Sequence, residues 1–93
     1  MLAAARRGDL PVVQQLLADG RASITDTDNC GSSALMMAAF GDALPVVQWL
    51  LVEGGASIAE RNNKGDTALL RAAVGGKLSV VQWLLEEGGA SIT

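Results

Sequence analysis

One pattern returns along the chain at a fixed interval of 34 residues. The string VVQWLLVEGGASI at 46–58 recurs almost unchanged as VVQWLLEEGGASI at 80–92, and Leu10, Leu44 and Leu78 keep the same interval. A period of about 20 to 50 residues is typical of stacked units, because one unit alone cannot bury its apolar face. The repeated string is therefore interpreted as a building block and not as a catalytic motif.

The period divides a single small domain, residues 1–93, into three units. The first unit, 1–24, starts partway into the pattern, and the other two occupy 25–58 and 59–93. An isoleucine recurs at one place in each unit: Ile24, Ile58 and Ile92. A domain of this length has a thin core, since it buries only about 60 to 65% of its unfolded surface. Stacking of the units must therefore supply much of the burial.

The segments ALMMAAF and ALLRAAV predict a short first helix in each full unit. Leu35, Ala38 and Ala39 fall at the i, i+3 and i+4 positions of one helical face. Ser33 and Thr67 stand just before the two segments as candidate N-caps. The small alanines allow a neighbouring helix to approach closely.

The segment PVVQWLLVE predicts the second helix. Pro45 suits its first turn, where a missing N–H is tolerated. Val47, Leu50 and Leu51 share one face, and the glycine pair at 54–55 can supply a left-handed cap. The tryptophans in this helix and its copy recur beside leucines at helical spacing, which favours packing between units over ligand stacking.

Polar turn-forming stretches separate the units. SITDTDNCGS and SIAERNNKGD are rich in Asp, Asn, Ser and Gly, which favour tight turns. Each unit is thus expected to contain two helices and a short projecting β-hairpin or turn, called here the finger. The predicted fold class is all-α.

Two motifs, GSSALMMAA at 31–39 and GDTALLRAA at 65–73, carry a family resemblance. They resemble the glycine, threonine, proline, leucine, histidine and double-alanine signature of ankyrin repeats, and LPVVQWLLVEGGA resembles the family's second helix and closing glycine-alanine. The resemblance implies an ankyrin-type α-hairpin solenoid with a non-catalytic, protein-binding role. A tetratricopeptide array also has a 34-residue period, but it is nearly all helix and has no place for NNKGD within each unit.

The chain departs from the ankyrin pattern at several positions. Met36 and Leu70 replace the usual histidine, whose hydrogen bonds must be dropped or made by other groups. Asp42 stands where Gly8 and Gly76 supply the glycine that ends the first helix. Alanines replace the usual proline, and each unit has one residue more than the common 33-residue repeat.

Charge and hydropathy argue against several classes of partner. The formal charge is −3 with no basic stripe, which disfavours nucleic acid. No apolar run approaches the roughly 20 residues that span a bilayer, and no secretory signal is recognisable at the first residues. The lone Cys30 can form no internal disulfide, which agrees with a reducing compartment. We expect a cytoplasmic or nuclear location without secretion.

Residues suited to catalysis or metal binding are scarce. The chain has no histidine and one cysteine, so the usual acid-base and nucleophilic arrangements cannot be assembled. A calcium loop starting at Asp26 would need an oxygen ligand at Cys30 and a glutamate at Met37. The sequence predicts neither an enzyme nor a cofactor or metal site.

The resemblance implies that a protein partner binds the finger tips and the exposed side of the first helices. In this chain those places are Asn29, Cys30, Ser32, Met37, Phe40, Asn63, Lys64, Asp66, Arg71 and Val74. Four of these five equivalent pairs differ between the two full units, Asn29 and Asn63 being the identical pair, while VVQ, LL and ASI stay fixed. Such variation is expected of a surface that recognises a partner, and equally of drift on an unused surface. Phe40 near Arg71 would form a mixed aromatic and basic anchor; the alternative is burial between first helices.

The two ends of the pattern differ in polarity. The first unit carries Gln15 where the others carry tryptophan, whereas Trp83, Leu84 and Leu85 keep the interior pattern. Because solenoid ends normally need a polar face, we expect either a segment of a longer array or self-association through these three residues. The alternative to a partner-binding module is a natural or engineered repeat scaffold without a dedicated partner.

Overall fold

The computed structural model describes residues 1–89, which form three consecutive helix pairs. The helices are α1 Leu2–Arg7, α2 Leu10–Ala18, α3 Ala34–Phe40, α4 Leu44–Val52, α5 Ala68–Val74 and α6 Leu78–Glu86. The first helices lie in one row, with α3 packed between α1 and α5, and the second helices α2, α4 and α6 form a parallel row. The predicted all-α repeat solenoid is confirmed, although Ile92 lies outside the described residues.

The core follows the predicted faces. Leu35, Ala38 and Ala39 of α3 are fully buried, as are Val47 and Leu50 of α4. The alanines allow the first helices to pack closely. At Gly41, which ends α3, an added Cβ would collide with the backbone of Arg6 in α1. Apolar burial between successive units is thus the main stabilising contribution.

Both predicted N-caps are present. The Ser33 hydroxyl accepts a hydrogen bond from the Met36 amide at 3.4 Å, and the Thr67 hydroxyl accepts one from Leu70 at 3.3 Å. These bonds satisfy one of the free amides at each helix start. Proline stands in the first turn of α4, as its position predicted.

The turn between the helices of each pair requires a left-handed residue. Gly8, Asp42 and Gly76 occupy this place with φ of 81°, 60° and 67°. Asp42 is the single non-glycine residue with positive φ among the described residues. Its equivalence to the two glycines is therefore confirmed, and it adopts a conformation that costs free energy for a residue with a Cβ.

The two units that carry a tryptophan in the second helix also carry a Gly-Gly pair after that helix. A Cβ at Gly54 would lie 3.0 Å from Cζ3 of Trp49, and Gly55 has a left-handed φ of 80°. In the first unit Gln15 replaces the ring and Arg21 replaces the second glycine. Both tryptophans are half-buried against the core, which supports their predicted packing role.

The fingers are turns. Asp28 donates its amide to the Ser32 carbonyl, Asn62 does the same to Asp66, and both bonds measure 3.0 Å. One isolated antiparallel bridge joins Thr27 and Ser33, and residues 1–89 contain no β-strand. Of the two predicted forms of the finger, hairpin or turn, the structure has the turn.

None of the helices within residues 1–89 combines the length and the apolarity needed to cross a membrane.

Candidate functional site

A pocket of about 180 Å³ opens where the two fingers meet the first helices. The fingers contribute Asp28, Cys30, Ser32, Asn62 and Lys64, and the first helices contribute Arg6, Met36, Met37, Phe40 and Arg71. The pocket thus draws on all three units. It lies on the side of the molecule where the sequence predicted partner contacts.

Two side chains hold the finger turns in shape beside the pocket. The Oδ1 atom of Asp28 accepts hydrogen bonds of 2.9 Å from the amides of Cys30 and Ser32. Asn62 repeats this arrangement one unit later, where its Oδ1 accepts from Lys64 and Asp66 at 2.9 Å. These bonds fix the turns that present Cys30 and Lys64 to solvent.

Adjacent fingers are also bonded to each other. The backbone amide of Asn63 donates to the Cys30 carbonyl at 2.8 Å, and its side-chain amide donates to the Asn29 carbonyl at 3.4 Å. Gly31 makes room for this contact, because a Cβ there would meet Oδ1 of Asn63 at 2.5 Å. Asn63 therefore joins the fingers, and its side chain is committed to that contact.

Phe40 forms the aromatic centre of the pocket wall. Its ring is half-buried, and the guanidinium carbons of Arg6 and Arg71 lie 5.2 and 4.7 Å from its centroid. Both distances are within the range of cation–π attraction. Arg71 also lies 3.7 Å from the Asp66 carboxylate, with 28% of its side chain exposed. One ring thus holds two cationic groups beside the opening.

The pocket is locally basic in an acidic chain. It contains three of the chain's seven lysines and arginines but one of its ten acidic residues. Neither Arg6 nor Lys64 has an ion-pair partner within residues 1–89. The electrostatic field at the opening therefore favours anionic groups.

Six of the ten predicted partner-binding residues line the pocket. They are Cys30, Ser32, Met37, Phe40, Lys64 and Arg71. Asn29 and Asn63 bond finger to finger, and Asp66 pairs with Arg71. Val74 lies outside the pocket and is 66% exposed.

Four lining residues were missed by sequence reasoning. Arg6 occupies the same repeat position as Phe40, so the period itself pointed to it. Asp28 and Asn62 were recognised as turn-formers alone, and Met36 was noted solely as the residue in the histidine position. Comparing each repeat position across all three units would have found Arg6.

The apolar surface of the third unit differs from the predicted one. Leu84 is fully buried and Trp83 packs against the core, so neither forms an open face, whereas Leu85 is 39% exposed. The exposed large apolar side chains of this unit are Leu70, Val74, Leu78 and Leu85. Leu70 is 44% exposed while the equivalent Met36 is 1% exposed, because α5 packs on α3 and no described helix packs on the far side of α5. The exposed apolar side chains of the third unit therefore lie on the outer side of α5 and on α6.

Within residues 1–89, no group of three or more His, Cys, Asp or Glu side chains is arranged to hold a metal ion.

Comparison with known proteins agrees with this architecture. The family model for ankyrin repeats (3 copies) matches residues 1–93. A chain in the solved complex of the predatory endopeptidase Bd0816 from Bdellovibrio bacteriovorus with the immunity protein Bd3460 is 32% identical, with a TM-score of 0.86. The match covers 98% of the present chain and 46% of that one, so this chain spans just under half its length. A comparison with curated proteins gave no match.

Ankyrin repeats generally mediate protein–protein interactions and are typically non-catalytic. The period, the helix pairs, the finger turns and the family match lead to one conclusion: the chain belongs to the ankyrin repeat family.

Proposed function

We propose that the chain is a non-catalytic interaction module that binds a protein partner through its finger turns and the exposed side of its first helices. The pocket around Phe40 is the centre of this surface. The observation that carries the proposal is the meeting of six variable residues, from separate units, in one pocket.

The residue types in the pocket support a protein ligand. Phe40 and the two arginines beside it belong to the types that dominate binding energy at protein interfaces. The volume of about 180 Å³ is below the range of about 300 to 1,000 Å³ that is typical of small-molecule sites. A pocket of this size accepts one or two side chains of a partner that lies across the surrounding surface.

The surface is also held in one arrangement before a partner arrives. The finger turns are closed by Asp28 and Asn62, and Asn63 joins the two fingers. A preorganised surface loses less conformational entropy on binding. The similar chain from Bdellovibrio bacteriovorus belongs to a complex of an endopeptidase with an immunity protein, which is consistent with a partner-binding role for this fold.

Affinity capture from a lysate of the source organism tests the proposal. The bait is the wild-type chain, and the test variant is Phe40→Ala/Lys64→Ala/Arg71→Ala. The control variant Val52→Ala/Arg7→Ala/Arg21→Ala also removes one apolar and two cationic side chains, all exposed and outside the pocket. Circular dichroism melts establish that both variants fold.

We expect at least one protein to be captured by the wild type and by the control variant but lost with the test variant. If every captured protein is retained by the folded test variant, the proposed surface is wrong.

Self-association is a second candidate function, favoured by the exposed apolar side chains on α5 and α6. Leu78 is 75% exposed and Val74 is 66% exposed. Large exposed apolar side chains are frequent at interaction sites when they lie together on one surface. Sedimentation equilibrium of the wild type and of Leu70→Gln/Val74→Gln tests this candidate: dimers that the variant lacks support it, and a monomer at all concentrations excludes it.

A further inference from the structure

We infer that the partner contacts the pocket with an acidic segment, whose carboxylates pair with Arg6, Lys64 and Arg71. This inference rests on the proposed function and names the chemistry of the partner. Its basis is the contrast between the basic pocket and the acidic chain that surrounds it.

Positive charge is concentrated around the pocket. Three cations and one acid line the pocket, whereas the whole chain carries a net charge of −3. The acid, Asp28, already accepts two backbone hydrogen bonds through Oδ1. Its charge is therefore partly balanced by the turn, and the cations dominate the field at the opening.

The pocket cations are accessible to a ligand. Arg6 and Lys64 are exposed and have no ion-pair partner within residues 1–89, so their N–H groups can donate to a ligand. Arg71 is partly buried and paired with Asp66 at 3.7 Å, longer than a hydrogen bond. A carboxylate can therefore approach Arg71 while Asp66 stays in place.

The shape of the pocket sets the size of the ligand. The wall contains Phe40 and Met37, which can cover the methylene groups of a glutamate or a neighbouring apolar side chain. The volume admits one or two side chains, so a peptide segment fits better than a folded acidic surface. A nucleic acid also bears anionic groups, but its dense phosphates would be repelled by the acidic remainder of the chain.

Selection from a library of short random peptides tests the inference. The bait is the full chain, and the selected peptides are measured by fluorescence anisotropy near physiological salt. The test variant is Arg6→Gln/Lys64→Gln, which removes two cations that make no ion pair in the described residues. The control variant Arg7→Gln/Arg21→Gln changes the net charge equally, at exposed positions outside the pocket.

Cys30 provides a local readout. It is the chain's single cysteine, it is exposed, and it lines the pocket. A peptide bound in the pocket slows the reaction of this thiol with a colorimetric disulfide reagent. A peptide bound elsewhere leaves the reaction rate unchanged.

We expect selected peptides to be enriched in Asp and Glu relative to the library and to protect Cys30. Their dissociation constants should rise about tenfold or more in the test variant, since it removes charge-assisted hydrogen bonds to the peptide carboxylates. The control variant should change them less than about twofold, because exposed distant charges are largely screened.

Four results would overturn the inference: no binding peptides, binders without acidic enrichment, equal weakening in both variants, or an unstructured single-stranded oligonucleotide that binds as tightly as the best peptide. None of these results affects the proposed function. That function fails separately if the captured partners bind Phe40→Ala/Lys64→Ala/Arg71→Ala as well as they bind the wild type. If a partner is lost with that variant but the selected peptides show no acidic preference, the proposed binding surface stands and the acidic ligand is rejected.

Discussion

The hydroxyl of Ser33 donates a 2.8 Å hydrogen bond to a carboxylate oxygen of Glu60, which lies 27 residues later in the chain. The same hydroxyl accepts the Met36 amide at the start of α3. One side chain thus caps a helix and joins the second unit to the third. Thr67 is the equivalent cap of α5, but its hydroxyl makes no hydrogen bond other than the cap bond within the described residues.

Ser33→Ala is expected to lower the free energy of unfolding by about 2 to 3 kcal/mol, since it removes both a cap and the donor to Glu60. Thr67→Ala, which removes a cap alone, should lower it by about 1 kcal/mol. Urea denaturation of the two variants measures the difference. Equal losses would mean that the Ser33–Glu60 bond contributes nothing to stability.

Gly41 lies where α1 and α3 approach most closely. A Cβ at this position would collide with the carbonyl oxygen of Arg6, although the backbone φ of −81° suits any residue. Gly41→Ala should therefore destabilise the chain by about 1 to 3 kcal/mol through overpacking.

Gly75→Ala is the matched control for this overpacking, at the same repeat position. Its Cβ would meet the flexible end of Lys77 at 3.3 Å and the Phe40 ring at 3.4 Å. We expect its free energy of unfolding to change by less than about 1 kcal/mol. A similar loss in both variants would indicate a general intolerance of alanine and not a close helix contact.

Asp42 carries backbone strain that glycine would relieve. Its φ of 60° is left-handed, as at Gly8 and Gly76. Asp42→Gly should raise the free energy of unfolding by about 0.5 to 1 kcal/mol, because the left-handed conformation is costly for residues with a Cβ. The reciprocal variant Gly76→Asp should lower it by a similar amount, and thermal melts of both will detect the opposite signs. A destabilised Asp42→Gly variant would reveal a stabilising contact of the Asp42 side chain.

Alanine substitutions at Gly31 and Gly65 distinguish the cost of backbone strain in the turn from the cost of disturbing the contact between fingers. Both are left-handed, with φ of 78° and 82°, so alanine at either position should cost about 1 to 2 kcal/mol. A Cβ at Gly31 also meets Asn63, whereas nothing lies within 4 Å of one at Gly65. Gly31→Ala should therefore be the more destabilising by about 1 to 2 kcal/mol in urea denaturation. Equal effects would show that Asn63 moves aside without loss.

The 34-residue period predicted the features that recur at equivalent positions in successive units. The buried faces of α3 and α4, the Ser33 cap and the left-handed residue at 42 all follow from residue types at fixed repeat positions. The form of the finger did not follow, because Asp, Asn and Gly suit a turn with or without strand pairing.

The pocket and the open face were harder to predict because they depend on how units differ. Arg6 joins Phe40 and Arg71 through the stacking of α1, α3 and α5, which no single unit encodes. Leu70 and Leu84 are both apolar, and the period alone does not say which of the two is buried. Of the three residues predicted to form the exposed face, Leu85 is exposed, whereas Leu84 is buried and the exposed Leu70 was not included.

The bond from the Asn63 amide to the Cys30 carbonyl uses main-chain atoms at both ends. The distance between successive finger tips is therefore set largely without the side chains at positions 30 and 64, which are exposed on the turns. Those two positions can be diversified while the spacing of the fingers stays constant. A mutational library at positions 30 and 64 would therefore explore new binding specificities while the fingers keep their spacing. Because the spacing of the fingers does not depend on the side chains at their tips, the surface can readily evolve new specificities.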